Sequence, residues 1–136
     1  MSEANKVLGQ QFMDFYNQGA WEMLDGLVSG DYIHHNNDSQ LNLAQLKRGA
    51  TWFRAGMPDF QIEIADILAE ADKVAIRWIG RGTHLGSFYG ETPTSKSVVL
   101  YGTTIFRIQD NHIVEDWEAM DEHNFMKQIG AITQKS

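Results

Sequence analysis

The sequence predicts an α+β domain in which a curved antiparallel sheet carries helices on its concave face and leaves a pocket between the two layers. Three observations predict it. Apolar residues recur every three to four positions up to Pro58, as helices packed by one face require, and every two positions after it, as half-buried strands require. Helical segments followed by a run of strands, rather than alternating with them, indicate segregated layers and antiparallel pairing. Gly80, Gly82 and Gly102 fall inside the strand region and allow bends that side chains would resist, so a long sheet can curl.

Ser2 can cap a first helix whose Ala4, Leu8, Phe12 and Phe15 share a face and whose end is marked by Gly19. Ala20, Trp21, Leu24, Leu27 and Val28 have the spacing of a second, short helix, which "SGD" at 29–31 stops. A third helix opens at Asn42 and carries Leu43, Leu46, Ala50 and Phe53 on one side. It must end by Met57, because a residue preceding proline is driven out of helical geometry. Phe60, Ile62 and Ile64 then alternate with Gln61 and Glu63 in a strand with one buried face. Residues 73–83 and 97–108, rich in Val, Ile, Thr and aromatics, are two more strands, and "QDNH" at 109–112 turns into a fourth, "IVEDWEAM". A closing helix runs from about Asp121 to Ile129 and stops at Gly130. No repeat, linker or low-complexity stretch intervenes, so residues 1–136 are expected to form a single domain.

A chain of 136 residues has room for one cavity or cleft. With 43% apolar residues, and 7 Phe, 4 Trp and 4 Tyr, it has more aromatic surface than a minimal core needs. Its net charge of -7 is scattered rather than blocked and would repel nucleic acid. The absence of cysteine excludes disulfides and thiolate chemistry and fits a reducing compartment. No apolar run approaches the ~20 residues of a membrane-spanning helix. The start "MSEANKVLGQ" has no basic segment followed by an apolar one. The expectation is a cytoplasmic protein with neither membrane nor nucleic-acid partner.

The strings "GMPDF", "DKVAIRW", "GTHLGSFYGETPTSK", "GTTIFRI" and "IVEDWEAMDEHNFMKQIG", with a weaker "DYIHHN" upstream, cover most of the chain. In these strings the chain resembles the SnoaL-like polyketide cyclase family, whose fold is the α+β cone of nuclear transport factor two. The resemblance implies a cone-shaped pocket and chemistry without metal or cofactor. It also implies that "RGTHLGSFYG" at 81–90 leaves one strand and turns back toward the next, which gives Gly82, Gly86 and Gly90 a structural role. For His84 two readings stay open, a place at the pocket mouth or a hydrogen bond to a buried carbonyl. The cone is reused for cyclases, isomerases, epoxide hydrolases and binding modules, so fold alone does not name a reaction.

Cyclases of this family close a ring by intramolecular aldol condensation. The step needs a base for a proton next to a carbonyl and an acid for the attacked oxygen. One carboxyl group serves both if an apolar enclosure lifts its pKa. In 113–120, Val114, Asp116, Glu118 and Met120 share one face and Ile113, Glu115, Trp117 and Ala119 the other. Asp116 and Glu118 are then neighbours ~7 Å apart. In a dry site two such carboxylates cannot both ionise freely; on a solvated face they are ordinary surface charge. The resemblance aligns Glu118 with the acid/base aspartate of anthracycline-type cyclases, one methylene longer, and Thr104 with a histidine of those enzymes. Thr104 can donate a hydrogen bond but exchanges no proton at neutral pH. Asp121 is a third acid, and its place just before the last helix reads as a cap.

His34 and His35 point to opposite sides if their segment is extended, so they cannot easily share one ion, and no metal site is expected. The resemblance suggests that His34 faces inward, where it or Asn36 binds a substrate oxygen; the rival reading is a solvated loop. Tyr16, Trp52, Phe53, Met57, Phe88 and Phe106 are candidates for apolar walls, with His84 at the rim and Thr104 beside Glu118's strand. As a set they suit a flat, apolar, oxygenated ligand. Arg77 and Arg107 are expected to pair with carboxylates such as Glu63 or Glu115; if Arg77 instead reached Asp116, an Asp–Arg–Glu arrangement could activate water for epoxide opening.

The expected function is cofactor-independent acid/base catalysis on a small apolar carbonyl compound, with Glu118 and Asp116 as proton carriers and intramolecular aldol cyclisation as the best single reaction. Epoxide hydrolysis, isomerisation, or mere binding of a lipid-like molecule are the rivals. Val99, Tyr101, Thr103 and Ile105 form a second apolar strand face, opposite Leu100, Thr104 and Phe106, that one set of helices cannot cover, so a homodimer is expected.

Overall fold

The computed structural model describes residues 2–87 and 90–130. Helix α1 (Ser2–Gln18) buries Leu8, Phe12, Met13 and Phe15, whereas Ala4, expected on that face, is exposed in the first turn. Gly19 ends the helix as expected: it adopts φ +67°, a left-handed conformation that costs a glycine little, and its N–H closes on the Phe15 carbonyl at 2.9 Å. The expected second helix is a single 3-10 stretch, Trp21–Gly26, with Leu24 inside. "SGD" does not stop it. Val28 has already entered strand β1 (Val28–Asn36), which runs on through those three residues, its register against β6 shifting between Val28 and Ile33. After the short strand β2 (Ser39–Leu41), helix α2 (Leu43–Gly56) begins at a capping box. The Gln45 N–H donates to Asn42 Oδ1 at 2.9 Å and the Asn42 N–H donates to Gln45 Oε1 at 2.8 Å.

Four strands follow: β3 (Gln61–Glu70), β4 (Lys73–Thr83), β5 (Ser97–Gln109) and β6 (His112–Met120), then helix α3 (Glu122–Gln128). Asp121 caps α3, accepting from the Asn124 N–H at 3.1 Å. The β5–β6 turn places Asp110 and Asn111 both at positive φ, 52° and 60°, the pair of values that matches the twist of a hairpin.

The six strands form one curved open sheet in the order β2-β1-β6-β5-β4-β3. Four of the five pairings are antiparallel, but β1 and β6 run parallel. No hairpin joins those two, since the rest of the sheet and α2 lie between them in the chain, and nothing forces the opposite direction. A register shift between Arg107 and Ile108 sets Ile113 on the inner face with Asp116. The strict alternation expected for β6 therefore fails at its start: Ile113 is buried and Val114 is not.

The inner face of the sheet holds Val74, Ile76, Trp78, Leu100, Phe106 and Ile113, all buried, with α1 laid over β3 and β4. Gly102 admits the Trp78 ring from the neighbouring strand; a Cβ there would stand 2.2 Å from it. Gly80 does the same for Phe60, at 2.5 Å. These two glycines make room for aromatic walls more than they bend the strands. The outer face carries Ile33, Tyr101, Ile105 and Trp117 as exposed large side chains.

Candidate active site

Between α2, α3 and the inner face lies a cavity of about 260 Å³. Leu46, Ala50, Trp52 and Phe53 of α2 form one wall, Phe60, Ile62 and Trp78 another, and Phe125 and Met120 close the end. Into this apolar space project Tyr16, His34, Asn36, Glu118 and Glu122.

The parallel register of β1 and β6 assembles the polar corner. His34 lies opposite Asp116 and Asn36 opposite Glu118, while β5 sets Thr104 beside Glu118 and Phe106 beside Asp116. His34 Nδ1 is 2.5 Å from Asp116 Oδ1, and the Tyr32 hydroxyl donates to the other oxygen, Oδ2. Asp116 has no exposed surface and His34 has 2%. On the far side of the imidazole, Nε2 is 4.0 Å from Glu118 Oε2.

Burial raises the pKa of Glu118 above the usual carboxylate range, and the charge of Asp116 raises it further, against a lowering by His34. Burial by itself would lower His34, but its hydrogen bond to Asp116 and the charges of Asp116 and Glu118 outweigh it, and the net shift is upward. Burial first, then the same two carboxylates, hold the phenols of Tyr16 and Tyr32 far above their ordinary value, so both remain hydrogen-bond donors.

Of the residues picked out in the sequence, Glu118, His34, Asn36, Tyr16, Trp52 and Phe53 line the cavity. Asp116 stands behind His34 and does not reach it. Met57 and Phe106 are wholly buried in the core, the latter packed on Phe12 with ring centres 5.0 Å apart. Thr104 accepts a hydrogen bond from the Trp78 indole at 3.1 Å, so its task is to hold a wall. His84 is buried away from the cavity, its Nδ1 3.0 Å from Thr94 Oγ1 and its backbone paired with Ser95 and Lys96, where it folds the 84–96 loop back on itself. Phe88 lies outside the described residues. Tyr32, Phe60 and Trp78 were not picked out; for Tyr32 the signal was its place two residues before His34, on the same side of an extended strand.

The arginines are on the outer face. Arg107 pairs with Glu115 at 3.0 Å as expected, but Arg77 pairs with Asp66 at 2.6 Å and Glu63 with Arg81 at 3.3 Å. Arg77 cannot reach Asp116, and the Asp–Arg–Glu arrangement for epoxide opening is not formed. Among the described residues no three histidine or acidic side chains are grouped to hold a metal ion, and no helix is long and apolar enough to cross a membrane.

The model of the SnoaL-like polyketide cyclase family matches residues 6–129. No curated protein matches the chain in sequence. Among solved structures, AclR of Streptomyces galilaeus, a proposed hydroxylase, is 24% identical with a TM-score of 0.91, the alignment covering 100% of this chain and 87% of that one. At that identity the likeness is one of fold. IdmH of Streptomyces antibioticus, a proposed polyketide cyclase, is 25% identical with a TM-score of 0.83 over 93% of this chain and 98% of that one. A proposed polyketide cyclase from Bacillus cereus is 26% identical with a TM-score of 0.83, over 96% and 83% of the two chains.

Proposed function

The chain belongs to the SnoaL-like polyketide cyclase family, and from that premise we propose that it is a cofactor-independent acid/base enzyme acting on a small apolar carbonyl compound, by intramolecular aldol cyclisation. One observation carries the reading: the Glu118 carboxyl is enclosed by aromatic walls beside a histidine, with its pKa raised. A carboxylate with a raised pKa is a stronger base toward a proton on carbon, and enclosure is one means by which a protein raises it.

In the proposed step Glu118 removes the proton on the carbon next to one carbonyl. The resulting enolate carbon bonds to a second carbonyl carbon of the same molecule, whose oxygen takes the proton back from Glu118. The Asn36 amide and, in its protonated form, His34 Nε2 donate to the oxygen on which charge develops, and Trp78, Phe53 and Phe60 hold the flat apolar body. IdmH, described as a proposed polyketide cyclase, supports the reaction class by its likeness. The epoxide-hydrolase reading loses its main support with Arg77 on the outer face.

The test is a simple acyclic diketone that closes to a β-hydroxycyclohexanone, which then loses its hydroxyl and a second α-proton as water to give the cyclohexenone whose absorbance is followed. Glu118→Gln is expected to lower the rate by about a hundred- to ten-thousand-fold. Equal rates for the two proteins would refute the assignment. Tight binding of the ring product without turnover by either would favour the non-catalytic alternative, a module for small hydrophobic ligands. We also propose that the outer face pairs with a second copy through Ile33, Tyr101, Ile105 and Trp117; light scattering that returned only the monomer would refute this.

A further inference from the structure

Glu118 and one nitrogen of His34 carry the proposed step, which leaves Tyr32 and Asp116 without a task, although both are buried against His34. Asp116 does not line the cavity, and its two oxygens are both taken, Oδ1 by His34 Nδ1 at 2.5 Å and Oδ2 by the Tyr32 hydroxyl. A carboxyl group that accepts at both oxygens has no proton to trade with a substrate. With Asp116 as the ionised acceptor, the same contacts assign the protons of His34. Its Nδ1 must carry the proton given to Asp116, so Nε2 is the nitrogen that faces the cavity.

We propose that Tyr32 and Asp116 are positioning residues, which lock His34 with its proton on Nδ1 and thereby present Nε2 to the substrate oxygen as a second proton-handling group beside Glu118. Its separation from Glu118 fits that role. At 4.0 Å the two are too far apart for a direct hydrogen bond and near enough for one oxygen atom to touch both. The groups that face the imidazole are Asp116 and Glu118 from β6, Tyr32 from its own strand β1 and Tyr16 from α1, with Glu122 at the start of α3 across the cavity. The two carboxylates of β6 favour a proton on His34, and the upward shift of its pKa agrees with this. The roles of Tyr32 and Asp116 in turnover rest on the proposed function, but the state of the imidazole does not, and it can be read without a substrate.

The experiment is nuclear magnetic resonance of the full chain with isotope-labelled histidine, the His34 signals among the 5 histidines being identified by their loss in His34→Gln. In the unmodified protein, neutral His34 is expected to carry its proton on Nδ1. Asp116→Asn should lower the proton affinity of His34 by about tenfold or more, since the charge that favours its protonated form is gone. Tyr32→Phe should speed exchange of the Nδ1 proton with solvent by about tenfold, because Asp116 loses the donor that holds its second oxygen. With the diketone, the pH at which the rate changes should move with the His34 titration in Asp116→Asn. A proton on Nε2 in the unmodified protein, or an Asp116→Asn protein whose His34 titrates as before, would overturn the proposal. The tautomer of the unmodified protein decides alone if that variant does not fold. An Nδ1 proton with no turnover by any form would sink the proposed function and leave the positioning intact; turnover with the proton on Nε2 would do the reverse.

Discussion

Two histidine–carboxylate pairs stand side by side on strands β1 and β6 and face opposite ways. His34 meets Asp116 at 2.5 Å on the inner face, and His35 meets Glu115 at 2.6 Å on the outer. The contacts are nearly the same length, but the surroundings are not. The inner pair has essentially no exposed surface, and its carboxylate is shared only with a phenol. In the outer pair each partner keeps about a fifth of its side chain exposed (19% and 21%). There Glu115 also binds Arg107 at 3.0 Å, and the His35 ring stacks on Trp117 at 5.3 Å. The hydrogen bond from His35, aided by Arg107, draws Glu115 below the usual carboxylate range, while burial three residues away pushes Glu118 above it. One strand thus carries a carboxyl shifted toward its ionised form and another shifted toward its protonated form. The difference is made by which face of the sheet each side chain meets.

The largest expected effect is on rate. Glu118→Gln should cost about a hundred- to ten-thousand-fold in diketone cyclisation, whereas Glu115→Gln, on the other face, should leave the rate within a factor of about two, as for a group outside the site. A comparable loss in both variants would erase the distinction between the faces. Next comes stability. Asp116→Ala strips a buried histidine and a buried tyrosine of their acceptor and should cost about 3–5 kcal/mol in denaturant unfolding, against about 1 kcal/mol or less for Glu115→Ala on the half-buried outer pair. Equal costs would mean that burial does not separate them.

Smaller, and opposite in sign on the two faces, is the dependence of stability on pH. His34 has a folded pKa raised above 6.5. It contributes stability that is complete below that value and lost as pH rises through the folded one. Glu118, raised above 4.5, adds a loss of the same sign, beginning at lower pH. Glu115, lowered below 4.5, contributes stability present above 4.5 and lost as pH falls through its folded value. Thermal unfolding followed across pH should therefore show His34→Gln flattening the alkaline limb and Glu115→Gln the acid limb. An exchange of those assignments would contradict the comparison. Least affected should be His35→Ala, within about 1 kcal/mol of the unmodified protein at neutral pH.

Much of this contrast could be read from the chain, and the parts that could not share a cause. Strand β4 has the bounds its Val, Ile and Trp alternation suggests, and the Asp110–Asn111 turn follows from residues that tolerate positive φ. Glu118 was legible as an acid in the middle of an apolar strand. Strand β1 was not, because "VSGDYIHHN" is poor in strand-forming residues and owes its place to pairing with β6, about eighty residues onward in sequence. The fate of Asp116 followed from the same pairing. On β6 alone it is Glu118's equal, and only the His34 and Tyr32 side chains from β1 remove it from the cavity. The register shift that turns Val114 outward is likewise invisible to a rule of alternation. Phe106 and Met57 illustrate another limit, since an aromatic or methionine side chain looks the same in a core as in a cavity wall.

Titration of the Glu118 and Glu115 side-chain carboxyls in the same sample, by nuclear magnetic resonance of isotope-labelled glutamate, tests the division between the faces most directly. The two signals should separate from the ordinary 4.5 in opposite directions, Glu118 upward because it is enclosed and Glu115 downward because His35 and Arg107 hold it ionised. A Glu118 that loses its proton at or below 4.5 would contradict the reading of the cavity as a site of proton transfer.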